Sequence, residues 1–256
     1  MTIWFAILLG LVQGVTEFIP VSSSGHLIFM RRFIDVPDEH DFLLFDIILH
    51  VATLFAIMVV FRKKIWDLIR KPLNMTNLWL VVATSITVGM VLIFDFAGLI
   101  EFFRDYRILP FTFMITAIVL LVPSLLPKRD GGVTWKTGVY TGVAQGVAVI
   151  PGISRSGATI TAALASGTKR EQAAEFVFIM AIPIIIASLV YELWRSPGSI
   201  GAVPVESYIF GFVASFVAGI FAIKIMLKLI KNVKLYWFSV YLFILSVTSF
   251  MLFYVV

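Results

Sequence analysis

The feature that most constrains this chain is a polar stretch that occurs twice. Gln13-Gly-Val-Thr-Glu-Phe-Ile-Pro-Val-Ser-Ser-Ser-Gly-His26 returns 132 residues later as Gln145-Gly-Val-Ala-Val-Ile-Pro-Gly-Ile-Ser-Arg-Ser-Gly-Ala158. Without a gap, Gln13, Gly14, Val15, Ser22, Ser24 and Gly25 meet Gln145, Gly146, Val147, Ser154, Ser156 and Gly157. A match at half-chain spacing is the mark of an internal duplication. The differences carry the chemistry: Glu17 faces Val149, Ser23 faces Arg155, and His26 faces Ala158. One copy supplies a carboxylate, a hydroxyl and an imidazole, and the other a guanidinium. This division predicts one composite site built from two unequal halves.

The surroundings of these stretches are apolar. Hydrophobic residues make up 60% of the chain and charged residues only 14%, with mean hydropathy +1.02. A soluble domain is about half apolar and about a quarter charged. Several uninterrupted apolar runs approach the ~20 residues that cross a bilayer, so the chain reads as an all-α polytopic membrane protein. The net charge of +5 comes from Lys and Arg grouped in a few loops, which is a topology signal rather than a nucleic-acid footprint. The absence of Cys removes disulfides and thiolate chemistry. Residues 1–10 lack a basic leader region, so no cleavable signal peptide is expected.

Taken in order, Thr2 to Val12 is too short to span and runs into the first polar copy, with Pro20 and Gly25 near its centre. Such backbone is tolerated in lipid only when buried in protein or lining a cavity, so two half-helices around a turn are expected. After a polar loop at Asp35–Asp41, spans are expected at Phe42–Phe61, Leu78–Leu99 and Ile108–Leu126. The second copy follows, and then spans at Phe176–Trp194, Tyr208–Ile230 and Leu235–Val256. One side of this arrangement carries 14 Lys and Arg against 5 on the other, Arg155 being inside the motif. The basic side is therefore expected to be cytoplasmic. The chain is read as a single integral membrane domain, residues 1–256, with repeat 1 over about 1–130 and repeat 2 over about 131–256. Each repeat is a re-entrant helical hairpin plus three transmembrane helices. Three spans invert the second repeat, so the hairpins enter from opposite faces and meet near the midplane.

Arg155 is the sharpest signal. An Arg near the bilayer centre costs roughly 2.5–3.5 kcal/mol on insertion scales and needs a partner or an anionic ligand. Its planar fork suits phosphate oxygens. Gly152, Ser154, Ser156, Gly157 and Thr159 lie around an expected half-helix start, where free N–H groups add to the cradle. The plain alternative is a structural pair with Glu17. Glu17 lies one helical turn after Gln13 and suits a general base or a ligand for Mg²⁺ or Ca²⁺. Ser22, Ser23, Ser24 and His26 bring hydroxyls and an imidazole. Ser23 is the candidate nucleophile because it faces Arg155 across the repeat, although at least one serine is expected to cap a half-helix. Attack by His26, or by water activated by Glu17, stays open. Asp46 and His50, four apart on one helical face, are expected to pair and orient the hairpin from behind. Thr84, Thr87 and Asp95 are weaker candidates, and Glu171 and Glu175 suit an interface.

These residues resemble the undecaprenyl-diphosphate phosphatase family of the bacitracin-resistance type. Its first signature, (E/Q)-x-x-x-E with a P-x-S-S-(S/T)-G-H run, is matched by Gln13, Glu17, Pro20 and Ser22 to His26. Its second, P-G-x-S-R-S-x-x-T, is matched by Pro151, Gly152, Ser154, Arg155, Ser156 and Thr159. The resemblance covers essentially the whole chain. It implies hydrolysis of the terminal phosphate of a C55 polyprenyl diphosphate in the plasma membrane, with divalent-cation dependence, and recycling of the lipid carrier for cell-wall synthesis. Carried over by position, it makes Glu17, Ser23, His26 and Arg155 catalytic, with Ser22, Ser24, Gly152, Ser154, Ser156 and Thr159 around the substrate. Gln13 in place of Glu removes one candidate metal ligand. The expected partners are the lipid substrate and membrane lipids, with no nucleic acid; a homodimer stays open. Access is expected from the outer face, where the diphosphate lipid arises. The rival from another class is a secondary transporter or lipid flippase on the same inverted repeats. A carrier needs a site but not a Ser, His, Glu and Arg set around one phosphate. A purely structural membrane subunit leaves Arg155 unexplained.

Overall fold

Two short helices packed by glycine open the chain, and their geometry sets the rest. The structure is a computed structural model describing residues 1–32, 43–103, 105–127, 129–195, 203–232 and 235–255. The loop expected at Asp35–Asp41, together with Arg104, Lys128 and Lys234, lies outside them. Helix α1 (Ile3–Phe18) has 16 residues and α2 (Ser23–Arg32) has 10. Their later counterparts α9 (Trp135–Val147) and α10 (Arg155–Ala165) have 13 and 11. None reaches the ~20 residues of a bilayer crossing. Each pair is a helix, a turn and a second helix, as the two polar copies predict.

Between and after the pairs lie the remaining helices: α3 (Leu43–Val60), α4 (Arg62–Arg70), α5 (Met75–Phe96), α6 (Leu99–Phe102), α7 (Leu109–Val119) and α8 (Val122–Leu125) in the first half, and α11 (Arg170–Arg195), α12 (Val205–Asn232) and α13 (Tyr236–Tyr254) in the second. Five stretches among the described residues are long and apolar enough to cross a membrane: Met75–Phe96, Tyr106–Leu125, Arg170–Tyr191, Val205–Lys231 and Tyr236–Tyr254. The expected crossing at 42–61 becomes α3, which stops at Val60 and bends by 76° into α4. The bend falls where Arg62-Lys63-Lys64 begins, because three consecutive cations leave the lipid. In α4, Leu68 faces inward while Trp66 and Ile69 are exposed among cations, which suits a helix lying along an interface. The chain is a multi-pass, all-helical membrane protein.

Close backbone contact places the hairpins. Helix α1 packs mainly along α12, and α9 along α5. A Cβ on Gly14 would collide with the carbonyl oxygen of Ser215, and one on Gly142 would stand 2.8 Å from that of Ala83. Small residues one turn apart let backbones approach in lipid, where van der Waals packing replaces the hydrophobic drive. Thr87 Oγ1 shares its proton between the carbonyls of Ala83 (2.9 Å) and Gly142 (3.0 Å), closing the α5–α9 seam. The apolar core then draws on both halves: Phe18, Leu54, Leu109 and Phe113 pack in one cluster with Ile160, Phe178 and Ile223.

Candidate active site

The two polar turns share their hydroxyl caps but not their backbone path. Helix α1 ends at Ile19, before Pro20, and the chain passes through Ser22 at φ 72° into α2. That left-handed conformation is uncommon for any residue but Gly, and it marks strain of about 1–3 kcal/mol held by the surrounding structure. Ser22 Oγ accepts the N–H of Gly25 at 3.3 Å, and Ser154 Oγ accepts that of Gly157 at 3.1 Å. The cap hydroxyls also approach Ser24 Oγ (3.4 Å) and Ser156 Oγ (3.3 Å) respectively. The repeated letters Ser-x-Ser-Gly thus encode a repeated N-cap. Ser22 and Ser154 use their oxygens as caps, and Thr159 Oγ1 donates to the Arg155 carbonyl at 2.7 Å.

The second turn is anchored from α7. Thr116 Oγ1 donates to the Gly152 carbonyl (3.0 Å) and accepts the Ser154 N–H (3.1 Å). Gly152 has φ 88°, and any Cβ there would run into Thr112. The two turns touch: Ser156 Oγ donates to the Ile19 carbonyl at 3.3 Å, and a Cβ on Gly25 would stand 3.0 Å from Gly152 Cα.

At this junction Glu17 collects the polar groups. Its Oε2 accepts from Ser23 Oγ at 2.6 Å and from Gln13 Nε2 at 3.1 Å. Its Oε1 lies 3.6 Å from Arg155 Nη1, and His50 Nε2 stands 3.9 Å from Oε2. The carboxylate side chain is only 5% exposed against 27% for Arg155, so the acid is the more deeply buried of the pair. Arg155 Nη1 and Gln13 Oε1 are buried and have no hydrogen-bond partner among the described residues. The same is true of both amide atoms of Gln145, the repeat equivalent of Gln13. Unsatisfied buried donors and acceptors are costly and point to a missing polar ligand.

His26 sits apart from this cluster. Its Nδ1 is 2.7 Å from the Ser22 carbonyl, which can only accept, so Nδ1 carries a proton. Nε2 meets Tyr241 Oη at 2.7 Å, and the two rings stack with centroids 5.7 Å apart. Phe113 closes the imidazole edge-on at 5.8 Å. The structure therefore gathers Gln13, Glu17, Ser23 and Arg155, and sets His26 against Tyr241 and Phe113.

Asp46 and His50 are arranged differently from the expected pair. The Asp46 carboxylate is taken by Arg31, and His50 Nδ1 bonds the Asp46 backbone carbonyl at 2.8 Å. A permanently charged guanidinium outcompetes an imidazole for a carboxylate. His50 is thereby released to face Glu17 directly. Thr87 serves helix packing, and Glu171 and Glu175 form ion pairs with Lys231 (3.2 Å) and Lys64 (3.5 Å) at the basic face. No local pattern points to Tyr241 or Arg31 at the site; one is an ordinary tyrosine 215 residues from its histidine, the other half of an Arg-Arg pair that reads as loop charge.

A divalent cation is compatible with these donors as a shared ligand. Glu17 offers one carboxylate, Gln13 Oε1 is an orphaned buried oxygen, and Ser23 and Ser24 add hydroxyls. No group of three His, Asp or Glu side chains converges among the described residues. The fit is the Mg²⁺ type, in which one or two protein oxygens are completed by substrate phosphates and water.

Comparison with known proteins bears directly on this geometry. The family model described as bacitracin resistance protein BacA matches residues 6–248. The undecaprenyl-diphosphatase of Treponema denticola is 42% identical over 260 residues, covering 94% of each chain. That of Carboxydothermus hydrogenoformans is 36% identical over 256 residues, covering 95% of this chain and 94% of its own. That of Christiangramia forsetii is 33% identical over 259 residues, covering 97% of each. Matched from the first hairpin to the last helix, the chain belongs to the bacitracin resistance protein BacA family.

Proposed function

We propose that this protein is an integral membrane phosphatase that hydrolyses undecaprenyl diphosphate to the monophosphate and phosphate, recycling the lipid carrier of cell-wall synthesis and conferring bacitracin resistance. Family membership and relatives named undecaprenyl-diphosphatase support the reaction. The observation that carries it to particular atoms is the Glu17 carboxylate, which accepts the Ser23 proton at 2.6 Å while facing Arg155 at 3.6 Å. A base, a nucleophile and an anion clamp meet within one group's reach.

Arg155 Nη1 is a buried donor with no hydrogen-bond partner among the described residues, so the terminal phosphoryl group lies against Arg155 and the first turn of α10. Ser23 Oγ attacks the terminal phosphorus as its proton passes to Glu17. The anhydride P–O bond breaks, undecaprenyl monophosphate leaves, and a phosphoserine remains. Glu17, having passed that proton to the departing monophosphate, takes one from water, whose oxygen attacks the phosphoserine. The Ser23 Oγ–P bond breaks, Ser23 recovers its proton from Glu17, and phosphate is released. Arg155 follows the charge on the equatorial oxygens throughout, the main source of acceleration in phosphoryl transfer. Held by Glu17, Gln13 and the diphosphate, Mg²⁺ or Ca²⁺ would supply neutralisation of the phosphate charge. His26 braces the turn that carries Ser23, through the Ser22 carbonyl.

The duplication supports an inverted-repeat plan: α1 of the first half lies on α12 of the second, and α9 of the second lies on α5 of the first. The first hairpin's ends fall on the face with fewer cations, so the site opens outward. A lipid substrate can then reach the phosphate site sideways while its tail stays in the bilayer. The test is phosphate release by purified protein in detergent from undecaprenyl diphosphate, with chelation and metal add-back. Release without any gradient supports the enzyme; substrate binding with no turnover in any metal would favour a carrier instead.

A further inference from the structure

On the strongly basic face, at the end of α10 remote from Arg155, four helix ends leave a cavity of about 160 Å³ between them. Its floor is apolar, formed by Pro123, Leu126 and Leu164. Its rim is cationic, with Arg129, Lys169, Arg170 and Lys231 against Asp130 and Glu171. The lining charges therefore sum to +2, four cations less two carboxylates.

Not all of those charges are available. Lys231 Nζ pairs with Glu171 at 3.2 Å, and Arg170 Nη1 donates to the Ile230 carbonyl at 3.3 Å, capping the end of α12. Arg129 lies along the backbone at Gly167, where a Cβ would stand 3.4 Å from its Nη1. Neither Arg129 nor Lys169 has an acceptor for its side chain among the described residues. The backbone that carries them is fixed: Lys169 N–H donates to the Gly131 carbonyl at 2.8 Å, and Thr168 Oγ1 bonds Thr137 Oγ1 at 2.8 Å. Among the described residues, then, these two cations have no side-chain acceptor and are carried on hydrogen-bonded backbone beside the apolar part of the lining.

We infer that this cavity binds the phosphate of an anionic phospholipid headgroup. At about 160 Å³ it is smaller than the roughly 300–1,000 Å³ of pockets for drug-sized ligands. It takes a headgroup phosphate and its glycerol, with the first acyl carbons against Leu126 and Leu164, rather than a nucleotide. Its level in the membrane fits. Trp135 and Trp237, at the starts of α9 and α13, are 53% and 60% exposed, as residues of an interfacial aromatic belt are. Basic pockets between transmembrane helices are sites where anionic headgroups bind. The bound lipid would tie the α8–α9 connection to α11, behind the helix that presents Arg155.

The chemistry of the rim is shared by a lipid phosphate and a free phosphate ion, and the experiment separates them. The purified full-length protein is examined by native mass spectrometry with phosphatidylglycerol, phosphatidylcholine or inorganic phosphate added. The wild type should retain one phosphatidylglycerol at least tenfold more tightly than phosphatidylcholine, undisplaced by millimolar phosphate. The Arg129→Gln/Lys169→Gln double variant should lose that preference while its phosphate release in detergent stays within twofold of wild type. Should the double variant unfold, Lys169→Gln alone, at an exposed side chain, makes the same comparison. Equal retention of the two lipids, an unchanged preference in the variants, or displacement by inorganic phosphate would each overturn the lipid site.

Discussion

The guanidinium of Arg155 lies 3.6 Å from the carboxylate of Glu17, an acid of the other half of the chain. That distance is an ion pair but longer than a good hydrogen bond, and Nη1 has no hydrogen-bond acceptor among the described residues. The pair neutralises Glu17 without consuming the fork, which is the arrangement a phosphate clamp needs.

Arg155→Ala is therefore expected to lower kcat/KM for phosphate release by about 10²–10³, the usual effect of removing one preorganised charge donor. Arg155→Lys should recover part of the loss, because an ammonium keeps the charge but not the bidentate fork. Thermal melting in detergent checks that both variants remain folded. Turnover by Arg155→Ala at the wild-type rate would end the assignment.

Ser23 and His26 separate cleanly. The Ser23 hydroxyl is 2.6 Å from Glu17, whereas His26 Nε2 is engaged by Tyr241 at 2.7 Å. Ser23→Ala should abolish all but a residual activity, a fall of about 10²-fold or more. Tyr241→Phe removes one neutral hydrogen bond, about 0.5–1.5 kcal/mol, and should cost only about 2- to 10-fold. Rate measurements on both variants decide the matter. If Tyr241→Phe falls as far as Ser23→Ala, the imidazole belongs at the reacting phosphorus and the roles must be exchanged.

Much of this architecture could be read from the chain because duplication preserves local rules. Gln13 with Glu17 and the Ser-x-Ser-Gly caps depend on short-range spacing, and they appear where the spacing put them. The apolar runs showed the crossings for the same reason. What the chain concealed is competition between distant groups. Asp46 and His50 stand one turn apart, yet Arg31 takes the carboxylate because its charge is permanent, and His50 turns to Glu17. Tyr241 reaches His26 only through the packing of α13 on α7, which no local pattern encodes. The 76° bend after Val60 needed knowledge of where lipid ends.

Gln13 gives a test of the cation. Its Oε1 is buried and unpaired beside Glu17, whose Oε2 accepts its Nε2 at 3.1 Å. Gln13→Glu places a second carboxylate where a hard cation would be shared with the diphosphate, and ligand charge count tunes such affinity. The metal concentration for half-maximal phosphate release should fall severalfold in EDTA-stripped, Mg²⁺-titrated protein. An unchanged titration curve would place the cation away from Gln13.

The hairpins depend on bare backbone, and three glycines rank that dependence. A Cβ on Gly14 meets the Ser215 carbonyl and Ala218 Cβ (2.8 Å), so α1 must move off α12. A Cβ on Gly142 meets the Ala83 carbonyl at 2.8 Å and Ala83 Cα at 2.9 Å, so α9 must move off α5. On Gly89, within α5, a Cβ meets nothing within 4 Å. Overpacking a tight contact costs about 1–3 kcal/mol, whereas Gly to Ala in an open helix position gains up to about 1 kcal/mol. Thermal unfolding in detergent should therefore rank Gly89→Ala at or above wild type, with Gly14→Ala and Gly142→Ala both below it. The Gly14 variant should also lose phosphate release, because displacing α1 carries Glu17 away from Arg155. A Gly14→Ala protein that melts and turns over like wild type would mean that the α1–α12 seam is looser than its backbone contacts require.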